Sequence, residues 1–146
     1  AELLNGSHNG QRIHTMFIDS AGISGAVGAR LRELGHRNVI EVNFGADSPD
    51  SHFAFMRDYI WGKLKEWLIS GAIDRDHHLE MDLCGPGYTL DNRVRIKLES
   101  KKDMKKRGVD SPDHADALAL TFAQQVGVPQ RSNGSLPIPI ATSAWS

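Results

Sequence analysis

The sequence predicts an α/β fold, and three stretches carry that expectation. Arg12 to Asn43 reads as strand, small-residue turn, helix and strand. Residues 50–70 read as one long amphipathic helix, and Ser111-Pro112-Asp113 opens a final helix of small apolar residues. A strand that returns beside its predecessor through a helix forms a parallel pair, so helices packed on a small parallel sheet follow. The chain has 146 residues, 40% hydrophobic and 24% charged, which sets one globular domain.

The elements follow in order. Residues 1–11 carry Asn5-Gly6-Ser7-His8-Asn9-Gly10, which is loop chemistry. Arg12 to Ile18 reads as a strand whose run Met16-Phe17-Ile18 suits burial on both faces, and it ends at Asp19. A turn over Ser20 to Gly25 leads into a helix from Ala26 to Leu34. Val27, Leu31 and Leu34 form its apolar stripe, and Gly35 ends it. Asn38 to Asn43 is the parallel strand. Asp50 or Ser51 is placed to cap a helix running to about Ser70, with Phe53, Met56, Ile60, Leu64, Trp67 and Leu68 on the 3.6-residue period. A short helix over Asp76 to Asp82 precedes the break at Gly85-Pro86-Gly87. Tyr88–Leu90 and Arg93–Leu98 read as a β-hairpin, and Lys101 to Arg107 as a short helix stopped by Gly108. Ser111 is the expected N-cap of the last helix, with Pro112 at its first position. Residues 1–126 are then the folded unit. Residues 127–146, rich in proline, serine and glycine, read as a flexible tail.

Charge and composition narrow the function. Net charge is −1, so any nucleic-acid contact rests on a local patch. Arg93, Arg95, Lys97, Lys101, Lys102, Lys105, Lys106 and Arg107 form one: eight basic residues against two acidic ones from Arg93 to Arg107. Such a run is either a solvated face or a contact with a phosphate backbone. No segment approaches the ~18 apolar residues of a membrane span. The single cysteine, Cys84, excludes an internal disulfide and reads as a packed small hydrophobe. The seven histidines lack the spacing of a zinc site, and no phosphate-loop pattern occurs.

Asp113 and Asp116, three apart, point to one side of the last helix's first turn. They either complement the helix dipole or hold a divalent metal. The second reading needs a further carboxylate, and Asp19 supplies it at the carboxyl end of a parallel strand, where sites in open α/β sheets lie.

Three stretches together resemble one family. They are Met16-Phe17-Ile18-Asp19 with the following turn and Arg30-Leu31-Arg32-Glu33-Leu34-Gly35; Arg57 to Trp61; and Arg95 to Gly108 running into Ser111-Pro112-Asp113-His114-Ala115-Asp116-Ala117-Leu118-Ala119-Leu120. The pattern is similar to the C-terminal nuclease domain of tailed-bacteriophage large terminase subunits, over residues 12–126. The resemblance implies a ribonuclease-H-like α/β fold with a β-hairpin and a C-terminal helix, incomplete because its first strands are not in the chain. It implies a Mg²⁺- or Mn²⁺-dependent endonuclease of double-stranded DNA, of the two-metal type, acting in genome packaging. Asp19 and Asp113 match catalytic metal ligands, with Asp113 preferred for lying at the very start of the helix and Asp116 as a further ligand. The basic run Arg93 to Arg107 faces DNA. Partners implied are the rest of the terminase, its small subunit and the portal, in the cytoplasm of a bacterial host. With the first strand's acid and the ATPase motor absent, weak or no cleavage is expected of the chain alone. A non-catalytic DNA-binding or assembly module, or a prophage relic, is the alternative.

Overall fold

The computed structural model describes residues 7–8, 11–20 and 24–127. The expected tail, residues 127–146, lies outside these apart from Gly127, as does the middle of the turn after Asp19. Among the described residues the strands form three separate two-stranded ladders. The first was not expected: β1 (Ser7–His8) pairs antiparallel with β2 (Gln11–Arg12) in a stretch that reads as loop. Arg12 therefore belongs to this ladder and not to the parallel strand, which begins at Met16.

The parallel unit forms as expected. β3 (Met16–Asp19) pairs with β4 (Val39–Val42) in the register Met16↔Val39 to Asp19↔Val42. β3 starts late because the Asn38 side chain, not a strand partner, donates to the His14 carbonyl at 3.1 Å. Between the strands, α1 (Ser24–Glu33) packs on both. Gly35 ends it at φ +89°, a left-handed conformation that glycine adopts without a Cβ penalty. The predicted stripe is not buried: Val27 and Leu34 remain about half exposed, and Gly28 is the buried position. Arg32 pairs with Glu41 at 2.9 Å and ties the helix to β4.

α2 runs over Met56–Leu68, five residues later than the caps at Asp50 or Ser51 suggest. The intervening chain is used elsewhere. Ala54 donates to Ile96 O at 2.9 Å, and Ile96 donates to His52 O at 2.7 Å, so residues 52–54 lie alongside a later strand. The cap comes from inside the helix: Asp58 Oδ2 accepts the Phe55 N–H at 2.9 Å. Ile60, Trp61 and Leu64 of α2 form the core with Val42, Ala115, Ala119 and Leu120.

α3 (His77–Cys84) is capped by Asp76, whose Oδ1 accepts from His78 N and Leu79 N. Cys84 is exposed, contrary to the packed role expected of it. β5 (Tyr88–Leu90) and β6 (Ile96–Leu98) pair antiparallel. Residues 93–95 belong to the turn and not to the strand, because Asp91 Oδ1 gathers the N–H groups of Arg93 and Arg95. Val94 takes φ 60° there, a conformation costly for a β-branched residue. α4 (Lys101–Lys106) is capped by Ser100 Oγ.

α5 (Asp113–Leu120) packs against α2, α3 and β3. Ser111 does not cap it. Its hydroxyl donates to Asp113 Oδ1 at 2.6 Å, and Pro112 holds the cap position. Asp82 of α3 accepts the His114 N–H at 2.8 Å and fills the capping role from another helix.

Gly62 gives a test of this packing. A Cβ there overlaps the Phe53 ring, which sits edge-on to Tyr59 with centroids 6.0 Å apart. Gly62→Ala gains about 1 kcal/mol of helix propensity but forces this ring to move, at a cost of about 1–3 kcal/mol. The expected result is a lower urea midpoint at unchanged slope.

Candidate functional site

The first turn of α5 gathers the charged groups. Asp116 is 93% buried by its side chain, at 7% exposure. Its Oδ1 accepts from Trp61 Nε1 at 2.8 Å and from Arg57 Nε at 3.1 Å, both on α2. Its Oδ2 is paired with Lys101 Nζ at 2.9 Å, and no other group reaches it. Asp113, one turn earlier, has a side chain 73% exposed and pairs with the same Lys101 ammonium at 2.9 Å. The i, i+3 spacing thus does bring both carboxylates to one point, with a lysine between them.

These contacts set the protonation states. The Asp113 carboxyl is held below the usual carboxylate range by the Ser111 hydroxyl first and the Lys101 ammonium second, against a smaller desolvation cost. Burial disfavours the Lys101 charge, but hydrogen bonding and attraction to Asp116 and Asp113 outweigh it and raise its pKa. Both groups are charged at neutral pH.

Asp19 closes β3, and β3 packs against α5. Among the described residues no group of three or more His, Cys, Asp or Glu side chains is arranged as a metal-ligand cluster. The donors at α5 nevertheless suit Mg²⁺ or Mn²⁺, hard cations that take carboxylate oxygen. The Lys101 ammonium, 2.9 Å from Asp116 Oδ2 and from Asp113 Oδ1, stands where a cation shared by the two carboxylates would sit.

The basic run is partly neutralised. Arg95 pairs with Asp91 at 2.7 Å, Lys106 with Asp103 at 2.7 Å, and Arg107 with Glu99 at 2.7 Å. Lys97 lies over the Phe55 ring at 5.5 Å. Arg93, Lys102 and Lys105 are exposed and make no ion pair among the described residues. The composition of the run does not show this sorting; the i, i+3 and i, i+4 spacings of Asp103–Lys106 and Asp91–Arg95 do. The roles of Arg57 and Trp61 at Asp116 carry no local signal, since each lies more than fifty residues away from it.

No helix among the described residues is long and apolar enough to cross a membrane. No protein-family model and no curated protein matches the chain. Solved structures do match. The manganese-containing nuclease domain of the large terminase subunit gp2 of bacterial virus Sf6, a point mutant, aligns with TM-score 0.57 and 16% identity over 77% of this chain and 66% of its own. A calcium-containing form of the same subunit gives TM-score 0.57 and 16% identity over 77% and 66%. A form with manganese and beta-thujaplicinol gives TM-score 0.56 and 16% identity over 78% and 66%. The chain thus spans 66% of the length of these domains. Among the described residues three ladders, five helices and the alignment agree on a mixed α/β architecture, similar in fold to the nuclease domain of a phage terminase large subunit.

Proposed function

We propose that the chain is a nuclease segment of a DNA-packaging terminase, acting on double-stranded DNA with Mg²⁺ or Mn²⁺. The observation that carries this is Asp116: a buried carboxylate fixed through one oxygen, with the other held only by a lysine ammonium that it shares with Asp113. It sits in a fold shared with a domain whose structure contains manganese. Asp116 and Asp113, with Asp19 from the end of β3, would hold the metal, and the metal would supply a polarised water and charge stabilisation at the scissile phosphate. Lys101 keeps the two helix carboxylates together and neutralises part of their charge. Arg93, Lys102 and Lys105, exposed and in no ion pair among the described residues, meet the phosphate backbone and set the strand's position without reading sequence. The setting is the host-cell cytoplasm, with the rest of the terminase, the small subunit and the portal as partners.

Cleavage by the chain alone is slow, because the described carboxylates do not form a full two-metal shell. The test is nicking of supercoiled plasmid at millimolar Mn²⁺ over hours, with Asp19→Asn alongside. Slow nicking that EDTA stops and Asp19→Asn removes supports the reading. Nicking indifferent to both refutes it. The exposed Arg93, Lys102 and Lys105 also fit a module that only holds DNA. Retention equal with and without Mn²⁺, weakening steeply with salt and accompanied by no cleavage, identifies that module.

A further inference from the structure

Asp116 is gripped by two groups that do not themselves reach a metal. Trp61 and Arg57 donate to the same oxygen, Oδ1, at 2.8 and 3.1 Å. They stand one turn apart on α2, and the Arg57 guanidinium lies over the Trp61 ring at 5.7 Å. Arg57 is anchored a second time: its Nη1 donates to Glu99 O at 3.1 Å, next to Ser100, the cap of the helix that carries Lys101. The Arg57 side chain is 12% exposed and its Nη2 is buried without a hydrogen-bond partner.

We propose that Arg57 and Trp61 are positioning residues, a two-donor clamp on Asp116 Oδ1 that turns Oδ2 toward the place now held by the Lys101 ammonium, 2.9 Å away, where a divalent cation displaces it. The proposal rests on the reading of Asp116 as a metal ligand. A carboxylate turning about its terminal bond offers either oxygen to a ligand. Two donors on one oxygen, both in a buried setting where hydrogen bonds are strong, remove that freedom. Groups that orient a metal ligand in this way are worth about 10–100-fold in metal affinity.

A counter-charge role for Arg57 predicts the opposite sign. Removing a cation near a metal site tightens metal binding, whereas removing an orienting donor weakens it. Trp61 carries no charge, so Trp61→Phe isolates orientation.

The experiment measures Mn²⁺ dissociation constants for the full chain by water-proton relaxation. The variants are Trp61→Phe, Arg57→Gln, Asp116→Asn and the double variant Trp61→Phe with Asp116→Asn. Circular dichroism checks folding. Trp61→Phe and Arg57→Gln are each expected to weaken binding about tenfold or more, with no further loss when Trp61→Phe is added to Asp116→Asn. The Trp61 indole N–H resonance is expected to shift in Asp116→Asn without any metal present. Unchanged affinity in Trp61→Phe, or tighter binding in Arg57→Gln, overturns the clamp. If Asp116→Asn still weakens binding in that case, the proposed function stands without the clamp. A parent chain that binds no Mn²⁺ overturns both.

Discussion

Asparagine at position 116 is expected to weaken Mn²⁺ binding by more than about 100-fold, beyond the range for a residue that only orients a ligand, and to remove DNA nicking with it. The change is nearly isosteric, so the loss is electronic. Oδ1 can still accept from Trp61 and Arg57, but Oδ2 becomes an amide nitrogen facing the Lys101 ammonium, which now lies 2.9 Å from Oδ2. A donor meets a donor, and the metal loses an anionic ligand. Arg57, at 12% exposure, loses its counter-charge. Breaking a buried pair by removing one partner costs about 3 kcal/mol or more, so the variant's urea midpoint falls as well. Asp113→Asn is the control: its side chain is 73% exposed, and its oxygen already serves Ser111 and Lys101. It is expected to weaken Mn²⁺ binding less and to leave folding nearly unchanged. Relaxation titrations on both variants, at a pH where each folds, check the order. Equal losses at 113 and 116 would contradict the primacy of the buried carboxylate.

That order could not be read from the sequence. The resemblance favours Asp113, because it stands first in the helix, and spacing alone shows only that the two acids share a side. Burial separates them, and burial comes from α2, far away along the chain. The parallel unit was legible because its signals are local: the run Met16-Phe17-Ile18, the left-handed Gly35 and a second apolar strand at Val39–Val42. The two caps that misled are also physical. Ser111 looks like an N-cap, yet Asp82 of α3 takes the His114 N–H. Asp50 and Ser51 look like the start of α2, yet Phe53 and Ala54 are held along Ile96, and the helix waits until Met56. In each case a partner distant in sequence replaced a local one. Local pattern predicts which backbone groups need satisfying, not who satisfies them.

Asp58 is where that distinction carries the largest consequence for stability. It is 4% exposed, and its two oxygens accept backbone N–H groups from Phe55 and from Leu98, both at 2.9 Å. One carboxylate thus caps α2 and fastens β6 to it. Asp58→Ala leaves both donors unpaired, each at a cost of about 1–3 kcal/mol, so a loss of roughly 2–5 kcal/mol in urea unfolding is expected. Asp58→Asn keeps one acceptor and sets its amide against the other N–H, and falls between. The pH dependence gives a second readout with a definite sign. Burial raises the Asp58 pKa, while the Leu98 and Phe55 N–H bonds and the Arg57 and Lys97 charges oppose it less strongly. A carboxyl with a raised folded pKa binds its proton more tightly in the folded chain. Its contribution to stability is therefore greatest at low pH and declines as pH rises from the ordinary carboxylate range through the raised value. Asp91 runs the other way. The backbone N–H of Arg95 leads in lowering its pKa to about 2, so its contribution holds above the ordinary range and fades as pH falls toward 2. Subtracting the Asp58→Ala stability profile from that of the parent isolates the first trend. The difference is expected to shrink with rising pH across that window and then level off, still positive, because the two backbone donors stay unpaired in the variant at every pH. A difference that grows with pH would mean the hydrogen bonds to the anion outweigh its burial.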